Sequence, residues 1–217
     1  MEEKRDVKVQ LLYLLRIESF SIAKWTFGGS LIGILAFFVL SSVNLPEYTF
    51  SGLDLGITVI PLRGGIDLGL VVISIIAAFC GPLAGFLVGF IGSLGADYLY
   101  TQQIIGFGSV NFAFGLLGFI IGIPRYTKDD GFADGNKIAY LILFSVFGYL
   151  LMTAFYLIGL IVIAGHSFEG ALLYNFAPYF SITLLSLFLF APVIIRIIEI
   201  LMIEGFKIWE SRVKTSQ

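Results

Sequence analysis

Long apolar runs, separated by polar or glycine- and proline-rich stretches, set the pattern of this chain. The runs are of helix length, and none alternates apolar and polar positions as the wall of a membrane barrel would. They cover residues 25–43, 68–80, 82–100, 107–123, 138–164 and 174–202. The pattern therefore predicts an all-α integral membrane protein, a bundle of six transmembrane helices.

The polar stretches divide the chain further. Residues 1–24 are polar and amphipathic and predict an interfacial helix before the first span, and residues 204–217 form a polar tail. The connection from residue 44 to 67 contains Pro46, Pro61 and the pair Gly64-Gly65, which favour irregular structure. Because this connection is also long and apolar, we expect it to fold back as a cap. The predicted organisation is an N-terminal segment 1–24, a membrane domain 25–203 and a tail 204–217.

The basic residues give the orientation. Six spans place both ends on one side of the membrane, and by the rule that basic loops face the cytoplasm both termini are predicted to be cytoplasmic. Only Arg63 falls on the other side. The basic residues on the predicted cytoplasmic side are Lys4, Arg5, Lys8, Arg16, Lys24, Arg125, Lys128, Lys137, Arg196, Lys207, Arg212 and Lys214.

Composition supports the membrane class and excludes several functions. The chain is 58% hydrophobic and 13% charged, whereas soluble domains carry roughly 25% charged residues. The single cysteine, Cys80, excludes an internal disulfide, and the single histidine, His166, argues against a metal site. The sequence has no phosphate-binding loop and no metal- or serine-hydrolase motif. We therefore predict a non-enzyme with no cofactor, no metal, no catalytic residue and no nucleic-acid partner, located in the plasma membrane as a multi-pass protein.

Glycines mark the helix faces that are predicted to pack closely. In the stretch from Gly81 to Tyr98, glycines recur every three or four residues and fall on one side of a helix. Such a stripe lets neighbouring helix backbones approach each other in a membrane. The candidates for helix packing or partner docking are Gly29, Gly33, Gly85, Gly89 and Gly92.

Polar side chains with binding chemistry gather at the predicted outer ends of the helices. Asp97 lies fifteen residues beyond Pro82, which is about 22 Å along a helix. Amide, acidic and aromatic side chains suit a flat or heterocyclic solute. The predicted substrate-binding residues are Asp97, Asn111, Tyr156, Tyr174, Asn175 and Arg63. The alternative for each tyrosine is an interfacial aromatic belt. At the other end, Arg196 and Glu199 are spaced to pair along one helix.

These motifs resemble a known family, the substrate-binding S components of energy-coupling factor (ECF) transporters. The resemblance rests on Gly81-Pro82 followed by glycines at 85, 89 and 92 and closing on Gly95-Ala96-Asp97. A second match is the glycine-rich stretch that ends Gly122-Ile123-Pro124, and a third is a final span opening at Asn175 and closing on Arg196. The likeness covers about residues 25–196.

The resemblance implies a six-helix fold whose first loop caps an outer pocket and captures a vitamin or related micronutrient. It also implies a transmembrane T subunit and two cytoplasmic ATPase subunits as partners. Family members usually present an alanine-x-x-x-alanine surface to the T subunit. Here Ala23 is followed by Phe27, and Gly29-xxx-Gly33 is the nearest substitute.

Two other functions stay open at this point. A structural or scaffolding protein of the cell envelope would need none of the polar outer residues for a ligand. An intramembrane enzyme acting on lipid would need a nucleophile and a base, and His166 alone, in a predicted loop, is poor support for one.

Overall fold

The computed structural model describes residues 7–17, 19–41, 48–54, 59–64, 67–102, 108–124, 126, 135–172, 183 and 185–202. In chain order the elements are α1 (Val7–Leu14), α2 (Phe20–Ser41), β1 (Tyr48–Asp54), β2 (Val59–Gly64), α3 (Leu68–Cys80), α4 (Pro82–Leu87), α5 (Ser93–Thr101), α6 (Ser109–Gly122), α7 (Gly135–Ile158) and α8 (191–202). Turns of π-helix extend three of them: Val88–Gly92 joins α4 to α5, Gly159–Ile163 continues α7, and Leu185–Phe190 leads into α8.

The helices lie where the apolar runs predict them. Phe20–Ser41, Pro82–Leu99 and Gly135–Ile163 are long and apolar enough to cross a membrane, and Leu68–Cys80 and Ser109–Gly122 are shorter apolar helices. Of the sixth predicted span, residues 183 and 185–202 belong to the described part of the chain. The helical class is confirmed, while the count of six spans and the cytoplasmic placement of both termini stay predictions.

The connection after α2 differs from the predicted irregular loop. It contains an antiparallel hairpin in which Tyr48 pairs with Gly64 and Asp54 pairs with Val59, with a shift in register between Phe50 and Leu53. Aromatic and β-branched residues, which favour strands, are frequent in both segments. The proline and glycine content of the connection favours irregular structure, but the strand-forming residues around them pair as a hairpin.

The N-terminal segment also differs from the single interfacial helix predicted for residues 1–24. In the described part of that segment, α1 ends at Leu14, Arg16 adopts a left-handed backbone conformation with φ 56°, and α2 begins at Phe20. The hydroxyl of Ser19 accepts a hydrogen bond from the backbone N–H of Ile22 at 3.2 Å. A serine in this position caps a helix start, so the first membrane helix begins five residues before the predicted Trp25.

Close glycine contacts join α4 and its π turn to α6. A Cβ atom at Gly89 would lie 2.3 Å from the carbonyl oxygen of Phe114, and one at Gly122 would lie 2.5 Å from the backbone nitrogen of Pro82. On its other side α6 meets α7, where a Cβ at Gly148 would lie 3.1 Å from Leu117. The helix that carries Asp97 is therefore packed backbone to backbone against α6, the helix of Asn111, from Pro82 to Gly89.

Candidate ligand site

Asp97 and Asn111 form a hydrogen-bonded pair between two helices. Asp97 lies on α5 and Asn111 on α6, and the Asn111 Nδ2 donates to Asp97 Oδ2 at 2.7 Å. Asn111 is fully buried, and Asp97 is partly exposed. Because a carboxylate accepts hydrogen bonds and an amide oxygen cannot donate, the amide must turn its nitrogen towards Asp97. The structure thus brings together two residues that the sequence placed separately near the outer ends of their helices.

The side-chain nitrogen of Asn111 is used in the hydrogen bond to Asp97, and its side-chain oxygen remains available as an acceptor. Within the described residues, the buried Oδ1 of Asn111 has no hydrogen-bond partner. A buried polar atom without a partner costs about 1–3 kcal/mol, so its presence in a folded protein calls for an explanation. One explanation that fits this position is a bound molecule that donates a hydrogen bond to Oδ1 of Asn111.

The backbone around the pair is specialised. The π-helical turn Val88–Gly92 lies directly before α5, and the Ser93 hydroxyl donates to the carbonyl oxygen of Gly89 at 2.6 Å. Turns of this kind are frequent at functional sites because the additional residue re-aims the side chains that follow. A Cβ at Gly92 would lie 3.0 Å from the Phe37 ring, so the helix is held from the α2 side as well.

The remaining predicted site residues have different outcomes. Tyr156 is half-buried on α7, with its ring edge-on to Phe114 of α6 at 6.5 Å between centroids, three residues along the chain from Asn111. Tyr174 and Asn175 lie outside the described residues. Arg63 lies in β2, where it pairs with Thr49 across the hairpin. Tyr156 therefore borders α6, the helix of Asn111. The binding roles of all six residues stay predictions.

The predicted packing glycines are used inside the chain. A Cβ at Gly29 would lie 2.3 Å from Sγ of Cys80, and one at Gly33 would lie 2.5 Å from Cγ2 of Val88. Gly85, Gly89 and Gly92 also face other helices of the bundle. Gly28, in contrast, has no atom within 4 Å of the position that a Cβ would occupy. Of the three glycines of α2, Gly28 is therefore the open one.

Several polar and aromatic positions were missed by the sequence analysis. Asp67 caps α3, since its Oδ1 accepts from the Leu70 N–H at 3.2 Å, and its own N–H donates to the Ser186 hydroxyl at 2.8 Å. An aspartate directly before an apolar run is a helix-start signal that could have identified this cap. A cluster of rings joins the helices on one side of α6: Phe86, Phe90, Phe112 and Phe155.

Potential metal ligands do not cluster in the described part of the chain. No group of three or more histidine, cysteine, aspartate or glutamate side chains that could hold a metal ion occurs among the described residues. Arg196 and Glu199 pair on α8, as their spacing predicts.

Comparison with known proteins identifies a family. The family model described as ECF-type riboflavin transporter, S component, matches residues 48–200. No curated protein and no solved structure matches the chain. The matched range begins at the hairpin and includes Asp97, Asn111 and Tyr156.

Proposed function

The chain belongs to the S components of ECF-type riboflavin transporters, and from this premise we propose that it captures riboflavin or a close flavin relative and delivers it inward. Capture takes place in an outward-facing pocket, and delivery requires an ATPase energy module. The family consists of transporter components and is not an enzyme class. The substrate name comes from the family description, and the residues of this chain support it through their chemistry.

The observation that carries the proposal is the hydrogen-bonded pair of Asp97 and Asn111, at the end of closely packed helices that is predicted to face outward. A polar pair at membrane depth is expensive and is found mainly where it serves a function. The pair offers an uncommitted amide oxygen to a donor. A flavin ring system carries an N–H group on its polar edge, and this group is a donor of the required kind.

The aromatic surroundings support a flat ligand. The edge-on contact between Phe114 and Tyr156 lies beside the helix that carries Asn111. Rings oriented in this way can receive a heteroaromatic ligand by stacking, while a few polar groups fix its orientation. The predicted site contains few charges, which disfavours a multiply anionic ligand such as a nucleotide.

We propose a T subunit and two ATPase subunits as the partners, with α2 as the docking helix. The face of α2 around Gly28 is open, whereas Gly29 and Gly33 are occupied by internal contacts. Trp25, Leu31 and Ile32 are exposed on the same helix. A small residue among exposed apolar ones lets a second membrane helix approach closely. The proposed docking position is therefore Gly28, one residue before the predicted motif Gly29-xxx-Gly33.

The test is native mass spectrometry of the gently purified protein, followed by a riboflavin titration that uses the quenching of flavin fluorescence. We expect a retained flavin mass and saturable binding, and we expect Asp97→Asn and Asn111→Ala to weaken binding at least tenfold. Asp97→Asn removes the negative charge that strengthens the hydrogen bond from Asn111, and Asn111→Ala removes that hydrogen bond altogether. Glu169→Gln is the matched control, since it neutralises an exposed carboxylate on a short helix after α7.

The proposal fails if the protein binds no member of a vitamin panel and no ATPase subunit co-purifies with it. That result would favour the alternative function, a scaffolding protein of the cell envelope. Unchanged binding in both site variants, with riboflavin still bound by the parent protein, would instead move the site away from the Asp97–Asn111 pair.

A further inference from the structure

Arg16 is a buried cation in the break between α1 and α2. Its residue exposure is 7%, and its backbone has a φ of 56°, a conformation that residues other than glycine rarely adopt. The guanidinium donates from Nη2 to the carbonyl oxygen of Pro124 at 2.7 Å and from Nη1 to that of Phe79 at 3.3 Å. These contacts span 108 and 63 residues of sequence, so a single side chain joins three separate parts of the chain.

The surroundings of Arg16 are shaped to hold it. Gly81 has a φ of 99°, and a Cβ there would lie 2.5 Å from Cδ of Arg16, so only glycine leaves room for the arginine stem. The Thr26 hydroxyl donates to the carbonyl oxygen of Arg16 at 2.8 Å. Nearby, the Tyr126 hydroxyl donates to the carbonyl oxygen of Ile121 at 2.9 Å. Both the side chain and the backbone of Arg16 are therefore fixed.

The two carbonyl groups that Arg16 holds belong to the ends of particular helices. Phe79 lies at the end of α3, directly before the turn that starts the helix of Asp97, and Pro124 follows the end of α6, the helix of Asn111. A cation at helix C-termini is favourable because the backbone carbonyls there carry partial negative charge. Arg16 thus joins the end of α3, which directly precedes the helix of Asp97, to the end of α6, the helix of Asn111. The junction lies on the side predicted to be cytoplasmic, about 16–22 Å from the Asp97–Asn111 pair.

The glycine contacts connect the two ends of this arrangement. Between Arg16 and the pair, α4 and α6 touch at Gly85 and Gly118 and at Gly122 and Pro82, with no side chain between the backbones. Backbones in direct contact leave almost no room for compression, so a displacement of one helix moves the other. A change in their relative position at the Arg16 end is therefore transmitted to the hydrogen bond between Asp97 and Asn111.

We propose that Arg16 is a latch through which the N-terminal segment controls ligand affinity. With Arg16 in place, the helices of Asp97 and Asn111 are held in register and the ligand is retained. When the N-terminal segment withdraws Arg16, the register loosens, the pair separates and the ligand dissociates faster. The effect on affinity rests on the proposed ligand-binding function, whereas the clamping of the helix ends does not.

The chain contains its own reporter for the latch. Cys80 is the single cysteine, it follows Phe79, and its carbonyl oxygen accepts a second contact from the Thr26 hydroxyl at 3.4 Å. Its Sγ is packed at Gly29. Cys80 is partly buried, so opening of the latch should increase the exposure of its thiol, and the rise in the rate of its reaction with a maleimide measures that opening.

The experiment compares the full-length protein with Arg16→Gln, Arg16→Lys and the control Lys24→Gln, in lipid nanodiscs with and without riboflavin. We expect Cys80 of Arg16→Gln to react about tenfold faster than in the parent and its riboflavin dissociation rate to rise about tenfold, within the range of typical coupling between sites. The labelling and dissociation rates of Arg16→Lys should lie between those of the parent and Arg16→Gln, because lysine keeps the positive charge but lacks the planar guanidinium with its several N–H donors. Lys24→Gln should match the parent, since Lys24 is exposed on α2.

Coupling between the latch and the ligand site is reciprocal. Riboflavin should therefore slow Cys80 labelling in the parent, and it should have no such effect on Arg16→Gln. The latch is refuted if Arg16→Gln labels at the parental rate, or if it labels faster while the riboflavin dissociation rate stays unchanged. If the parent binds no riboflavin, the proposed function and the control of affinity both fail, and labelling without ligand still decides whether Arg16 clamps the helix ends.

A second variant decides the case in which Arg16→Gln does not fold. Thr26→Val removes the hydrogen bond to the Arg16 carbonyl and keeps the guanidinium. We expect the same two changes, smaller in size, and parental rates of both labelling and dissociation would overturn the proposal.

Discussion

Gly85 and Gly118 pack against each other with backbone on backbone. A Cβ atom at Gly85 would lie 2.4 Å from the carbonyl oxygen of Gly118, and a Cβ at Gly118 would lie 2.2 Å from that of Gly85. Each residue therefore excludes a side chain at the other. The contact lies between α4 and α6, and it sets how closely the helices of Asp97 and Asn111 can approach.

The same close approach predicts the effect of Gly89→Leu. A side chain there meets the carbonyl oxygen of Phe114 at 2.3 Å, and backbone cannot move aside as a flexible side chain can. We expect overpacking to lower the free energy of unfolding by about 1–3 kcal/mol or more. The measurement is the thermal unfolding midpoint in detergent.

Gly28→Leu is the matched control for stability, because no atom lies within 4 Å of its Cβ position. An equal loss of stability in both variants, or normal expression and an unchanged midpoint for Gly89→Leu, would contradict close backbone packing of the π turn Val88–Gly92 against α6.

Gly28→Leu has its own expected effect on assembly. If the open face of α2 meets the T subunit, a leucine side chain prevents the close approach of two helices. We expect riboflavin binding by the isolated protein to remain, and the yield of complex with co-expressed T and ATPase subunits to fall severalfold. The measurement is affinity purification on a tagged ATPase subunit.

A parental yield of complex from Gly28→Leu would move the docking face away from this part of α2. Phe27→Leu serves as the control, since it exchanges one exposed apolar side chain for another on the same helix.

The pairing of Asp97 with Asn111 predicts a non-additive pattern of stability. Asn111→Leu removes the amide that donates to Asp97 and leaves a carboxylate without it, so we expect a loss of about 1–3 kcal/mol. Asp97→Leu leaves the buried Nδ2 of Asn111 without its acceptor, with a similar loss. The double variant removes both partners and should be less destabilised than the sum of the two single variants. Unfolding midpoints of the four proteins measure the coupling.

Additive losses would show that the 2.7 Å contact contributes no coupling energy. Flavin binding provides a separate readout on the same four proteins, because all three variants should bind riboflavin weakly whatever their stability.

The sequence predicts the helices and their glycine faces well, since both depend on local composition and on a regular spacing. It places Asp97 and Asn111 near the outer ends of neighbouring helices, but their contact depends on a π turn, Val88–Gly92, that no spacing signals. The hairpin was missed because proline and glycine outweighed the strand-forming residues around them.

The burial of Arg16 could not be predicted at all. Its partners are backbone carbonyl groups 63 and 108 residues away, and every residue type has such a carbonyl. In a stretch with several basic residues, the positive-inside rule describes Arg16 only as one more cytoplasmic charge. The tertiary fold, and no local pattern, makes it different from Lys24.

Tyr126 gives a prediction for the dependence of stability on pH. Burial raises the pKa of the Tyr126 phenol above its ordinary value of 10.0, and the nearby Arg16 charge opposes this shift without cancelling it. The folded protein therefore keeps the hydroxyl protonated, as the donor to Ile121, at a pH where the unfolded chain has begun to lose that proton. By linkage, this contribution to stability is fully present below pH 10 and decreases as the pH rises towards the pKa of the folded state.

Tyr126→Phe removes both the hydrogen bond and the titrating group. We expect it to lower the free energy of unfolding by about 0.5–1.5 kcal/mol at pH 8, and we expect the difference from the parent to narrow between pH 10 and 11, because only the parent loses stability through this phenol. Tyr140→Phe, at an exposed position of α7, should change neither value. A difference that stays constant up to pH 11 would mean that Tyr126 titrates alike in both states, so that burial does not raise the pKa of its phenol in the folded protein.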